Sequence, residues 1–135
     1  MSEGPFVLDA SAVLALIKAE PGADHVVAAL SNSWITSVNF SEVVTKLHEE
    51  GWPVDDAADA VLSLGINLVD FSPQHAVLAA QLRPATRAAG LSLGDRACLA
   101  LGQERQAKVL TADTAWLKVA AALQLEIIAI RQPHG

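Results

Sequence analysis

The sequence has a single cysteine, Cys98, so no internal disulfide can form, and a reducing cytoplasm is the expected location. It has no Cys-x-x-Cys pair and no Cys/His cluster, which removes the usual zinc frameworks. No apolar run approaches the ~18–20 residues of a membrane span. The opening Met1-Ser2-Glu3-Gly4-Pro5 lacks the basic stretch of a secretory signal, and Asp9 interrupts the apolar run that follows. Charge is scarce, at 18% of residues, while 52% are hydrophobic, which excludes a disordered chain. Basic residues are the rarer sign: nine against 15 acidic, for a net charge of −6. Such a chain does not hold nucleic acid by its overall field. A nuclease is not excluded, because bound cations invert the local charge of a carboxylate site.

What remains is 135 residues, enough for one domain spanning 1–135 with a core that needs no staple. Apolar runs of strand length alternate with helical patterns along the whole chain. Strands are expected over Pro5–Asp9, Trp34–Val38, Ile66–Phe71, Lys108–Thr111 and Glu126–Ile130. Helix starts are expected at Ser11, Asn39, Asp55, Ser72-Pro73, Ser92, and Asp113 or Thr114, with a short helix over Ala23–Leu30. Asn39 with Glu42, and Ser92 with Asp95, have capping-box spacing. Gly51 and Gly65 supply helix stops, and Pro84 should end or kink its helix. Five largely apolar strands separated by helices predict a three-layer α/β/α sandwich around a parallel sheet.

In such sheets, function sits outside the carboxyl ends of the strands, where strand order reverses. Four acidic residues fall at those edges. Asp9 ends the first strand and Asp113 follows the fourth. Glu42 and Asp95 open the helices that follow the second strand and precede the fourth. Each has an ordinary explanation as a cap or a first-turn residue favoured by the helix dipole. Together they are what a Mg²⁺ or Mn²⁺ site requires, since these hard ions bind oxygen and are held by a few carboxylates plus water and phosphate. Converging carboxylates repel, so without metal some should hold raised pKa values. No Ser-His-Asp or Cys-His pairing competes; His25, His48, His75 and His134 read as surface residues. Trp34 reads as core, Trp52 as an exposed contact, and Cys98 as a buried small hydrophobe.

The ordered set Val7-Leu8-Asp9-Ala10-Ser11-Ala12, Ser41-Glu42-Val43, Gly90-Leu91-Ser92-Leu93-Gly94-Asp95 with Cys98-Leu99-Ala100-Leu101-Gly102, and Val109-Leu110-Thr111-Ala112-Asp113 with Trp116 covers nearly the whole chain. In these motifs the sequence resembles a PIN-domain protein, of the VapC-type toxin ribonucleases of type II toxin–antitoxin systems. The resemblance implies a five-stranded sheet of order 3-2-1-4-5. It implies that Asp9, Glu42, Asp95 and Asp113 bind Mg²⁺ or Mn²⁺, and that the hydroxyls of Ser11 and Thr111 support them. It further implies endoribonuclease activity through a metal-activated water, leaving 5′-phosphate and 3′-hydroxyl ends. A homodimer is expected, with a VapB-type antitoxin as partner, RNA as substrate, and promoter DNA reached only through the antitoxin complex. Thr114 and Ala115 stand where some relatives carry a further acidic residue. Five of the nine basic residues lie between Arg83 and Lys108. Of these, Arg83, Arg87 and Arg96 flank the third acidic motif and are candidates for RNA phosphate contacts.

The alternative is a PIN-fold interaction module of little catalytic power, which mainly binds its antitoxin and represses its operon. A receiver domain needs an acidic cluster at the first strand and a lysine ending the last, whereas Asp9 stands alone and the last strand ends in Ile130-Arg131. A haloacid-dehalogenase-like phosphatase needs Asp-x-Asp, and Ser11 occupies the second position.

Overall fold

The computed structural model describes residues 4–132. The opening residues read above for a secretion signal, and His134, lie partly or wholly outside them. The elements run β1 (Phe6–Leu8), α1 (Ala10–Ile17), α2 (Ala23–Ala29), β2 (Ser33–Thr36), α3 (Ser37–Glu49), α4 (Val54–Leu62) and β3 (Asn67–Val69). They continue with α5 (Pro73–Gln81), α6 (Arg83–Thr86), α7 (Leu93–Arg105), β4 (Lys108–Thr111), a 3₁₀ segment (Thr114–Val119), α8 (Ala120–Leu123) and β5 (Ile127–Ala129).

All strand pairings are parallel, in the order β3-β2-β1-β4-β5. This is the order the resemblance implied. β1 is central because Phe6, Val7 and Leu8 are all buried, which suits a strand covered on both faces. Their side chains alternate. Phe6 and Leu8 join a core with Val13, Val26, Val43, Leu47 and Val61, from α1 to α4. Val7 joins a second core with Ala79, Leu99, Leu101, Val109 and Trp116. The period of two along β1 thus separates the two helical layers. Leu8 is in register with Leu110 of β4, and the strand order reverses between these two strands.

Several helix starts differ from the sequence reading. Asp9, not Ser11, caps α1 by accepting from Ala12 N. α3 begins at Ser37, because the Thr36 hydroxyl accepts from Asn39 N at 3.0 Å. Asn39 is therefore inside the helix, Glu42 lies beyond the first turn, and no Asn39–Glu42 capping box forms. α4 begins at Val54 after Pro53, with Asp55 in its first turn rather than at the cap. The segment after Asp113 is mostly 3₁₀, with only Ala120–Leu123 in α conformation.

Other expectations hold. Ser92 and Asp95 form a capping box on α7. Gly51, at φ +105°, follows the last turn of α3, a conformation that glycine adopts without steric cost. Pro84 follows the break between α5 and α6. Cys98 is fully buried, and Trp34 packs against the second core with the Arg105 guanidinium 4.7 Å from its ring centre.

Trp52, expected as an exposed contact, is half-buried against the first core. His75, expected at the surface, is buried at the start of α5. It shares a reciprocal cap with Ser72, and its Nε2 lies 2.8 Å from Glu104 of α7. A buried imidazole needs partners for both ring nitrogens, and these elements supply them.

Candidate metal centre

Asp9 leaves β1 at the strand reversal, its N–H still bonded to Leu110 O of β4 at 3.1 Å. Asp9 is only 5% exposed, and its carboxylate collects donors from both sides of that reversal. Ala12 N donates to Oδ1 at 2.8 Å, and the Ser11 hydroxyl lies 2.8 and 2.9 Å from the two oxygens. The Thr111 hydroxyl donates to Oδ2 at 2.6 Å. Ser11 and Thr111 then accept in turn, from Ala112 N at 2.8 Å and Asp113 N at 3.0 Å. The end of β1 and the end of β4 are stitched together through these two hydroxyls.

Burial pushes the Asp9 carboxyl up from its ordinary 3.8 to about 6, and the negative charge of Asp95 adds to this. The hydrogen bonds from Thr111, Ala12 and Ser11 act the other way, because they favour the ionised form.

The other carboxylates come from three further segments. Glu42 projects from α3, where its Oε1 accepts from the Asn39 side chain at 2.8 Å. Asp95 sits in the first turn of α7, its Oδ2 accepting from Ser92 N at 2.9 Å. Asp113 caps the 3₁₀ segment by accepting from Ala115 N at 3.0 Å, and is exposed. Asp9, Glu42, Asp95 and Asp113 line one pocket of about 300 Å³, together with Ala10, Ser11, Leu14 and Lys46. The Cys98 thiol is fully buried; burial raises its pKa, and so do the charges of Asp9, Asp95 and Glu42.

The sequence reading placed these four carboxylates and Ser11 together, and the structure brings all five to one pocket, with Thr111 buried against Asp9. Arg83, Arg87 and Arg96 are not among the lining residues. Arg83 and Arg87 are exposed on or beside α6, while Arg96 donates to Ala79 O at 2.9 Å and braces α5. Three residues with a place at the site were not singled out for it. Lys46 lies one turn beyond Glu42 on α3, a spacing that the sequence displayed. Asn39 has the spacing of a cap, and Gly94 stands in the third acidic motif with no role assigned by the sequence.

The donor set is all oxygen, which suits a hard divalent ion rather than zinc or copper. Among the described residues, no three carboxylates are gathered tightly enough to enclose a bare ion. A magnesium-like ion does not require that, since it retains several waters and takes one or two carboxylates directly. The pocket therefore fits a partly hydrated ion held by some of its four acids.

The sequence matches the PIN domain family over residues 6–122. No curated protein matches the sequence. Among solved structures, the fold is similar to a chain of a toxin–antitoxin complex from Klebsiella pneumoniae. That likeness has a TM-score of 0.73 at 19% identity, over 94% of this chain and 98% of the other. It is similar to a chain of VapBC2 from Rickettsia felis bound to a DNA fragment from its promoter, with a TM-score of 0.70 at 16% identity, over 91% and 96%. It is also similar to a chain of VapBC-1 from nontypeable Haemophilus influenzae, with a TM-score of 0.67 at 15% identity, over 93% and 97%. At these identities the likeness is one of fold. No helix among the described residues is long and apolar enough to cross a membrane.

Proposed function

Starting from a chain that belongs to the PIN domain family, we propose a divalent-metal-dependent endoribonuclease that serves as the toxin of a toxin–antitoxin pair. One observation carries this reading: four carboxylates from four segments line a single pocket where strand order reverses. Asp9, Glu42, Asp95 and Asp113 would hold Mg²⁺ or Mn²⁺ between them, some directly and the rest through its water shell. The ion would neutralise charge on the scissile phosphodiester and make water acidic enough to attack it near neutral pH.

The chain's own residues do the positioning. Thr111, Ser11 and Ala12 N hold the Asp9 carboxylate in one orientation, so little reorganisation accompanies ion binding. Asp95 is fixed from behind by Ser92. Lys46 gives the pocket wall a cation for a substrate phosphate, and exposed Arg83 and Arg87 would meet the RNA backbone farther out, with Arg96 contributing what its bond to Ala79 leaves free.

The partners follow from the same reading. This chain would act in the cytoplasm as a single-domain homodimer, and a protein antitoxin would cover its pocket and bring the pair to promoter DNA. The similar folds come from toxin–antitoxin assemblies, one of them on its promoter DNA, which supports this arrangement.

The test is cleavage of total RNA by purified, antitoxin-free protein with Mg²⁺ or Mn²⁺, with EDTA, and with Asp9→Asn. Discrete fragments that need metal and vanish in the variant are expected. A folded protein that binds its antitoxin yet cleaves nothing under either metal would replace this reading with the interaction module.

A further inference from the structure

We infer that Asn39 and Gly94 form a positioning pair for the Glu42 carboxylate, which they seat on α7 at a fixed distance from Asp95. The inference rests on the metal-site reading above and says how α3 and α7 share it.

Glu42 is exposed on α3, and a free glutamate loses rotamer freedom when it is confined to one geometry. Here it is confined beforehand. Asn39, three residues earlier and only 1% exposed, donates from Nδ2 to Glu42 Oε1 at 2.8 Å and to Gly94 O at 3.0 Å. Both protons of that amide nitrogen are thus assigned, which fixes which way the group faces. Asn39 Oδ1 is buried and has no partner among the described residues, so the amide is oriented for its donors alone. One side chain therefore ties the carboxylate of one acid to the backbone next to another, Asp95.

Gly94 completes the seat. It lies in the first turn of α7 without the positive φ that would call for glycine. A Cβ built there would collide with Glu42 Oε2 and fall 2.7 Å from its carboxyl carbon. The missing side chain is the space that the carboxylate occupies.

Gly94→Ala tests the inference without threatening the fold, because the group displaced is the far end of an exposed side chain and alanine is the better helix former. In metal-free buffer its melting temperature should equal or exceed that of the wild type. Its half-saturating Mn²⁺, read by calorimetric titration and by the Mn²⁺-induced rise in melting temperature, should increase roughly 10–100-fold. Asn39→Leu should weaken Mn²⁺ in the same way, referenced to its own metal-free stability. In a Glu42→Ala background, Gly94→Ala should add no further loss, since it acts only through that carboxylate.

Wild-type Mn²⁺ affinity in Gly94→Ala, or a loss additive to that of Glu42→Ala, would overturn the inference. If the wild type bound no Mn²⁺, the metal-site reading would fall. Metal-free crystal structures of wild type and Gly94→Ala would then decide the positioning alone: a displaced Glu42 carboxylate sustains it, an unmoved one refutes it.

Discussion

Replacing Asp9 with asparagine should make the metal-free protein more stable at neutral pH while abolishing cleavage. Asp9 is nearly sealed from solvent, and its carboxyl titrates at about 6 instead of 3.8. Between those values the folded state binds more protons than the unfolded chain, so stability declines as pH rises. The stabilisation is fully present below the unfolded value and is lost by the time pH has passed the folded one. Carried to neutrality, a shift of this size costs about 3 kcal/mol, most of it incurred between about pH 4 and pH 7.

Asparagine never pays that charge-burial cost. Its Oδ1 can keep the donors Ala12 N and Ser11, although the Thr111 hydroxyl must turn to accept from Nδ2, and imperfect geometry there would take back about 1 kcal/mol. The assay is urea unfolding in EDTA of both proteins across that pH range. Taking the difference cancels the carboxylates that do not interact with Asp9, leaving its own titration and its coupling to Asp95. Asp9→Asn should be the more stable by about 2 kcal/mol near pH 7, with the advantage shrinking toward about pH 4. Mn²⁺ at a hundredfold excess over Kd should raise the wild type by about 2.7 kcal/mol over its own metal-free state, enough to reverse the order and leave it ahead by about 0.7 kcal/mol if Asp9→Asn binds none. A stability difference that does not change with pH would refute the reasoning, because it would mean that burial at the end of β1 does not perturb Asp9.

Three further outcomes are expected. Thr111→Val removes the shortest bond holding Asp9 ionised, so the acid limb of the pH–rate profile should move upward, as kcat/KM measured against pH would report. Lys46→Ala should raise KM for RNA with little change in kcat, and should reduce the slope of log affinity against log salt by about one. His75→Ala should cost about 2 kcal/mol of stability by opening a cavity and unpairing the contact between α5 and α7, measured by urea unfolding, while metal-saturated cleavage is unchanged.

The strands and the two acids that follow them, Asp9 and Asp113, were legible because both are written locally, whereas the strand order came from the family resemblance. A buried strand such as Phe6–Leu8 is a short apolar run, and a residue that ends such a run must stand at the sheet's edge. What was not legible depends on choices between neighbours or on other elements. Thr36 and Asn39 can each cap a helix, and the choice of Thr36 turned Asn39 into an interior residue whose amide reaches α7. Gly94 reads as a weak point in a helix until a carboxylate from another helix is seen in its place. His75 falls in a helix start rich in polar residues, and its burial depends on Glu104, 29 residues away. Trp52 sits between Gly51 and Pro53, which signals a turn but not the core that the turn lies against.

The two hydroxyls that stitch the end of β1 to the end of β4 join positions 100 to 102 residues apart. Closing so long a loop is costly before any contact is made, so this junction belongs to the late stages of folding. A chain emerging from a ribosome holds Asp9 early but has neither Thr111 nor Asp113 to complete its surroundings until more than four-fifths of these 135 residues have been made. If the proposed function holds, the site would stay unassembled, and the encoding message uncut, for most of the chain's synthesis, and the time left for an antitoxin to reach it would begin with the docking of β4.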